Sequence, residues 1–437
     1  MKAADLFGKT FECTCGKTHH IEPRQVIYGD GAADALPASC ADLTAGRSVA
    51  VLMDARTARA AGHDVVAAFA RQGWRVSEVL VPDPHGGGSP VCDDVTRAAL
   101  DGPVGPADLI CPAGSGVLND LGKWIAMDRG LPYVCFATAA SMNGYASSNI
   151  APTIDGVKRL VYGRAPAVVA SDPAVLAAAP GELTASGLGD VLAKSVSSTD
   201  WYANHLLFGD FYCPRSVGLI EDIEPLYLDR PADLAAGKPD AIEALFTALL
   251  LTGVAMTMAE TSSPSSGGEH LIGHSLDMMS SVDGRPHDLH GRQVGIGTVI
   301  ASELYRRVLA IDSPAFVAPT EAVDETFWGP LAGAVTAEYT QKIPRLRAAR
   351  DQLARGGAWD DLRAALAPMV RPPERTRGAL AAVGGACRAE DIGCDRGRLI
   401  AAVLHAHEMR PRFTILDLAR LTGVMPAAAG ELVEQWA

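Results

Sequence analysis

Nothing in this sequence offers a disulfide framework, a polycationic surface or a run of membrane length. Its nine cysteines are odd in number and scattered over 437 residues, the usage of reduced thiols in a cytosol rather than of a stapled secreted scaffold. Lys and Arg number 38 against 51 Asp and Glu, a net charge of −13. With no long basic tract, that balance excludes duplex nucleic acid and anionic membrane surfaces as expected partners. A local cationic cluster can still bind a phosphorylated small molecule. The most apolar run, residues 244–259, is bracketed by Glu243 and Glu260 and is short for a bilayer, so it is expected to be a buried core helix. Met1-Lys2-Ala3-Ala4-Asp5 has no apolar core of a signal peptide, and a cytoplasmic location is expected.

What is present is globular: 48% hydrophobic and 20% charged residues, and enough length for two domains with cores. The first part alternates apolar strand-length runs (residues 48–54, 75–81, 108–112 and 133–136) with helical patterns (58–72, 91–100 and 117–127). That alternation predicts a parallel sheet with helices on both faces, binding ligands at the carboxyl ends of its strands. Helical periodicity takes over beyond Val168–Pro173. The expected division is an α/β nucleotide-binding domain over 1–178 and an all-α metal- and substrate-binding domain over 179–437.

The glycine turn Gly114-Ser115-Gly116-Val117-Leu118-Asn119-Asp120 follows an apolar strand and opens a helix, where backbone N–H groups and the helix dipole favour a pyrophosphate. It is not the standard Gly-x-Gly-x-x-Gly fingerprint. Asp54, closing the first strand, is a candidate acceptor for an adenosine ribose diol, or else a helix cap. The hydroxyl-rich loop Thr138-Ala139-Ala140-Ser141-Met142-Asn143-Gly144-Tyr145-Ala146-Ser147-Ser148 offers further donors to a dinucleotide.

Three separated residues, Asp190, His270 and His290, supply a carboxylate and two imidazoles. Such a set can hold a divalent metal and leave a position open, as catalytic sites do. Zinc suits these donors best, with nickel or iron able to occupy them. Asp190 has a rival role as an N-cap of the helix that follows. His274 lies one helical turn beyond His270 and is a second ligand or a proton relay to substrate. His287, His19 and His20 are read as surface residues. Cys13-Thr14-Cys15-Gly16-Lys17-Thr18-His19-His20 has metal-ligand chemistry but no second cysteine pair at zinc-site spacing, and is read as an N-terminal hairpin with free thiols.

Collinear along nearly the whole chain, these segments resemble the iron-containing alcohol dehydrogenase and dehydroquinate synthase-like superfamily. The segments that carry the likeness are Cys13–His19, Gly114–Asp120, Thr138–Met142, Ser186-Gly187-Leu188-Gly189-Asp190, Glu269-His270, His290–Thr298 and Arg412–Asp417. Within the superfamily the likeness is greatest to the glycerol-1-phosphate dehydrogenase family. The resemblance implies a dehydroquinate synthase-like fold, with metal and substrate in a cleft between an α/β and a helical domain, and a homodimer or higher homo-oligomer. It implies Asp190, His270 and His290 as metal ligands, and substrate contacts from Asn143, Asp190 and His274, with His274 and Asp190 catalytic. Gly116–Asp120, Thr138–Ser141 and Ser147 are implied to bind NAD(H) or NADP(H). Where the family carries Asp in a Met-Asp-Gly loop, this chain has Asn143, an amide that cannot act as a base. The implied reaction is metal-dependent interconversion of dihydroxyacetone phosphate and sn-glycerol 1-phosphate, a step in phospholipid biosynthesis. A sugar-phosphate cyclase, whose first ligand is typically Glu, and an inactive nucleotide-binding homologue are the alternatives. Lys158, Arg159 and Lys194 are candidates for the substrate phosphate, each expected otherwise to be a solvated surface cation.

Overall fold

The computed structural model describes residues 6–84 and 88–437. Two short strands, β1 (Thr10–Glu12) and β2 (Thr18–His20), pair antiparallel as a hairpin. Six strands then form one parallel sheet: β3 (Gln25–Tyr28), β4 (Ser48–Met53), β5 (Arg75–Leu80), β6 (Leu109–Gly114), β7 (Cys135–Ala137) and β8 (Val168–Ser171), in the spatial order β3-β8-β7-β6-β4-β5. The inner strands β4 and β6 are buried at every position. That is why they read as continuous apolar runs rather than alternating ones. Val49, Val51, Leu109, Cys111 and Ala113 lie in one core with Leu36, Val65 and Phe69, which come from the helices Ala32–Ser39 and His63–Arg71.

Six helices carry the argument that follows: α1 (Gly116–Arg129), α2 (Gly181–Leu192), α3 (Lys194–Phe208), α4 (Pro239–Ala259), α5 (Gly268–Asp283) and α6 (His290–Leu309). The chain forms two compact units. The first comprises residues 1–187 and 218–260, the second residues 188–217 and 261–437. The expected division at 178/179 cuts the chain once, whereas this partition returns 218–260 to the first unit. The physical reason is α4, which packs on the turn Asn143–Ala146 of that unit. At 21 residues α4 is longer than the apolar run suggested and long enough to cross a bilayer, but most of it is buried in the structure. The described elements of the second unit are all helices.

Candidate metal centre and nucleotide loops

In the second unit, Asp190, His270 and His290 arrive from three helices. Asp190 is the tenth residue of α2, so it lies inside a helix and does not cap one. The N-cap alternative fails because the helix starts at Gly181, nine residues earlier than the local pattern suggested. His270 is the third residue of α5, and His290 opens α6. Gly189 sets how closely these helices meet: a Cβ there would stand 2.0 Å from the Gly291 carbonyl oxygen. Only a residue without a side chain permits that approach, immediately beside Asp190 and His290.

The ligand atoms of the three residues lie within 4.8 Å of one another. Asp190 Oδ1 is 3.4 Å from His270 Nε2. Donors bound to one tetrahedral ion at about 2.05 Å stand roughly 3.3 Å apart, so this edge already has the length a zinc-sized cation requires. The His270 and His290 rings are 5.2 Å apart. Asp190 and His270 are buried, and His290 is half-buried. The donor set therefore fits a divalent metal with a position left for substrate.

Behind the ligands stands a group the sequence reading did not assign. Glu269 is wholly buried, and its Oε1 accepts from the Gly267 N–H at 2.8 Å and lies 2.8 Å from His270 Nδ1. That contact places the Nδ1 proton against Glu269 and leaves Nε2 aimed at Asp190, the arrangement that fixes the ring of a metal-binding histidine. Burial pulls the His270 pKa down, but hydrogen bonds to Asp190 and Glu269 and their charges outweigh it and raise the pKa to about 9. His290 moves the other way, to about 3, through burial and the neighbouring His270 and His274. A further buried carboxylate, Asp200 on α3, accepts from the Gly268 N–H at 2.7 Å and the Ile415 N–H at 2.7 Å. Burial and the charge of Glu269 raise its pKa to about 8.

His274 stacks on His290 with ring centroids 5.3 Å apart, and its Nδ1 lies 3.6 Å from Asp277 Oδ2. Asp277, one turn further along α5, also accepts from Gln293 Nε2 at 3.0 Å and stands 3.5 Å from His287 Nδ1. The i,i+3 spacing of His274 and Asp277 was the available signal. Lys194 is buried, with Nζ 3.3 Å from the Ser216 carbonyl oxygen. The expectation of a solvated cation fails for it because α3 places that side chain inside the unit. Lys158 and Arg159 are half-buried.

In the first unit the glycine turn runs from β6 into α1, and no side chain caps the helix at Ser115. Ser115, Gly116, Val117 and Asp120 are partly exposed, whereas the side chains of Leu118, Asn119, Ala139, Ala140 and Ser147 pack inward. Gly114 and the Thr138 N–H join β6 to the following loop through a 3.2 Å hydrogen bond. Ser141 is buried, and its carbonyl accepts from Ser186 at 3.2 Å. Ser147 Oγ accepts from the Asn149 N–H at 3.2 Å, closing its own turn.

Lys123, unremarked in the sequence reading, is fully buried in α1 and donates to the carbonyls of Gly144 at 3.0 Å and Asn149 at 2.8 Å. Asn119 also donates to Gly144, at 3.2 Å, and Asp120 accepts from the Ala151 N–H at 3.1 Å. Together they hold the loop carrying Asn143, which opens a short 3₁₀ turn. Asp54 caps the helical turn after β4, accepting from the N–H groups of Arg56 at 2.7 Å and Thr57 at 2.8 Å on Oδ1. Its Oδ2 faces Arg56 Nη2 at 3.2 Å. Among the expected surface histidines, His20 and His287 are exposed, but His19 is only 3% exposed, drawn inward by the hairpin register.

Residues 27–180 match the family of iron-containing alcohol dehydrogenases. The chain is 27% identical over 421 residues to a glycerol-1-phosphate dehydrogenase [NAD(P)+] of Bacillus licheniformis, a match covering 96% of this chain and 94% of the relative. It is 30% identical over 283 residues to a glycerol-1-phosphate dehydrogenase [NAD(P)+] of Methanothrix thermoacetophila, with 65% of this chain and 77% of the relative covered. Among solved structures it superposes on glycerol dehydrogenase from Schizosaccharomyces pombe with a TM-score of 0.59 at 18% identity, covering 94% and 91% of the two chains. It superposes on NADH-dependent butanol dehydrogenase A from Thermotoga maritima with a TM-score of 0.58 at 16% identity, covering 95% and 99%. These structures share the fold of the iron-containing alcohol dehydrogenases. The chain belongs, within that fold, to the glycerol-1-phosphate dehydrogenase family.

Proposed function

We propose that this protein is a metal-dependent NAD(P)(H) oxidoreductase that interconverts dihydroxyacetone phosphate and sn-glycerol 1-phosphate. The observation that carries the reading is the 3.4 Å edge between Asp190 Oδ1 and His270 Nε2, with Glu269 holding the other face of the imidazole, in a chain whose relatives are glycerol-1-phosphate dehydrogenases [NAD(P)+]. Asp190, His270 and His290 would hold a divalent cation, which would supply Lewis acidity toward the substrate oxygen, and a bound nicotinamide would supply the hydride chemistry. Glu269 fixes the His270 tautomer so that Nε2 is the donor atom. His274, backed by Asp277 at 3.6 Å, is the group suited to take up or return the substrate hydroxyl proton. Ser115, Gly116 and Val117 present the start of α1 to the diphosphate. Asp54 Oδ2, which also faces Arg56 Nη2, is the oxygen of that residue that would accept from a ribose hydroxyl, because Oδ1 is committed to the helix cap.

The finer parts of this reading are zinc as the metal, a homodimer, and a cytoplasmic enzyme serving phospholipid biosynthesis. Two imidazoles and a carboxylate favour zinc over harder cations. NADH oxidation with dihydroxyacetone phosphate, measured for metal-loaded and chelated protein, tests the reading, with His290→Ala alongside. Turnover should require metal and disappear in the variant, while NADH binding persists. Phosphate release from a longer ketose phosphate with no net change in NADH would favour a cyclase instead. Full activity of chelated His290→Ala protein would refute the metal centre.

A further inference from the structure

We propose that the N-terminal hairpin carries a second metal site, binding Zn2+ through Cys13 Sγ, Cys15 Sγ and His19 Nε2. The three ligand atoms lie within 4.8 Å of one another. Cys15 Sγ stands 3.2 Å from His19 Nε2. With bonds of about 2.3 Å to sulfur and 2.05 Å to nitrogen, a tetrahedral site places such donors roughly 3.5–3.8 Å apart, so the Cys15–His19 edge needs to lengthen by only a few tenths of an ångström. The hairpin is shaped to bring them together. The Cys13 N–H donates to the Lys17 carbonyl at 3.0 Å and the Gly16 N–H donates to the Cys13 carbonyl at 3.0 Å. That turn needs Gly16 at a φ of 87°, a conformation that glycine adopts without strain. The β1–β2 register then pairs Phe11 with His19, and the two rings approach to 5.6 Å, which turns His19 inward.

The hairpin also has a physical need for such a crosslink. Its strands are three residues each, and an isolated two-stranded ladder of that length is marginal in water. The Lys17–Glu260 ion pair at 2.6 Å is exposed on both sides and adds little to its stability. Soft thiolates and an imidazole select a thiophilic divalent cation, and binding would release the two thiol protons. This site is independent of Asp190, His270 and His290, so its metal can be counted separately.

The test uses the full-length His270→Ala/His290→Ala protein, which removes the other metal, and measures bound zinc by mass spectrometry after dialysis. One zinc per chain should remain, and adding Cys13→Ser/Cys15→Ser should remove it. Cobalt loaded into the same background should show thiolate-to-metal charge transfer that the serine variant lacks. His19→Gln should weaken binding without abolishing that band. A serine scan of the seven other cysteines would then show whether the fourth ligand is a thiolate or water. Absence of retained metal, or equal retention in the serine variant, would reduce the contact to a thiol–imidazole hydrogen bond and overturn the proposal. Should the serine variant fold poorly, the cobalt spectrum of the parent protein decides, because a site without sulfur shows no such band.

Discussion

Glu269→Gln separates two consequences of one buried carboxylate, and they act in opposite directions. Glu269 Oε1 stands 2.8 Å from His270 Nδ1 and accepts from the Gly267 N–H at 2.8 Å. Glutamine keeps an acceptor there but exchanges a charge-assisted hydrogen bond for a neutral one, a loss of about 1.4 kcal/mol, or tenfold in metal affinity. The same charge helps to raise His270 to about 9, so in the wild type a proton competes with metal at neutral pH. With a pKa of about 9 the competition costs roughly tenfold per pH unit below that value, about a hundredfold near pH 7. The variant lowers that pKa and relieves part of the penalty. Zinc or cobalt affinity should therefore be about tenfold weaker in Glu269→Gln above pH 9, with the gap narrowing or reversing toward pH 7. Competition titrations against a chelator of known affinity at several pH values provide the measurement. A constant ratio between the two proteins across that range would refute the assigned role of Glu269.

The remaining expectations concern cofactor and substrate. Asp54→Ser keeps a capping oxygen but removes the charge, so the kcat/KM ratio of NADPH to NADH should rise by roughly tenfold while stability falls by less than about 1 kcal/mol; an unchanged ratio would leave Asp54 only its cap. Lys194→Met should raise KM for dihydroxyacetone phosphate by roughly ten- to a hundredfold and leave kcat with unphosphorylated dihydroxyacetone unaltered. Equal losses on both ketones would mean that the buried ammonium serves packing alone. Asn143→Asp restores the acid common in the family, and one altered polar contact of about 1–2 kcal/mol should change KM or kcat by roughly five- to thirtyfold; steady-state kinetics with no response would remove Asn143 from the substrate contacts.

The parallel sheet was legible because β4 and β6 are buried at every position and, Ser48 apart, carry no polar side chain, as burial on both faces favours. The glycine turn was legible for a similar reason: backbone geometry at a strand-to-helix junction constrains the residue type. The meeting of Asp190, His270 and His290 could be anticipated from donor chemistry, although their motifs are separated by up to a hundred residues. What escaped local reading depends on contacts between elements. The rival reading of Asp190 as a helix cap arose because nothing nearby announces that α2 begins at Gly181. Asp200 lies far from Glu269 in sequence and reaches its neighbourhood only because α3 packs against α5. Lys123 was invisible as a structural cation because its partners are backbone carbonyls, which leave no trace in composition. Residues 218–260 join the first unit through packing of α4, and helical periodicity says nothing about which core a helix will enter.

The electrostatics of the second unit give an independent reason for a cation at this place. Asp190, Asp200 and Glu269 are each at most 1% exposed, and His270 is the imidazole that touches two of them. Burying three carboxylates against one another is unfavourable unless positive charge or protons accompany them. Without a cation the charge is met by protons, which is why His270 is raised to about 9 and Asp200 to about 8. His290, beside Asp190, is instead driven down to about 3 by burial and by His270 and His274, so it stands ready as a neutral donor. One imidazole thus carries the proton that a metal would displace, and the other already holds its lone pair free. Glycine at 189 is what lets His290 approach the carboxylate that His270 also faces, because any Cβ there would push α6 away from α2. Packing and charge consequently converge on the same point: the close approach of α2 and α6 at Gly189 lies beside the place where a divalent ion would relieve buried negative charge.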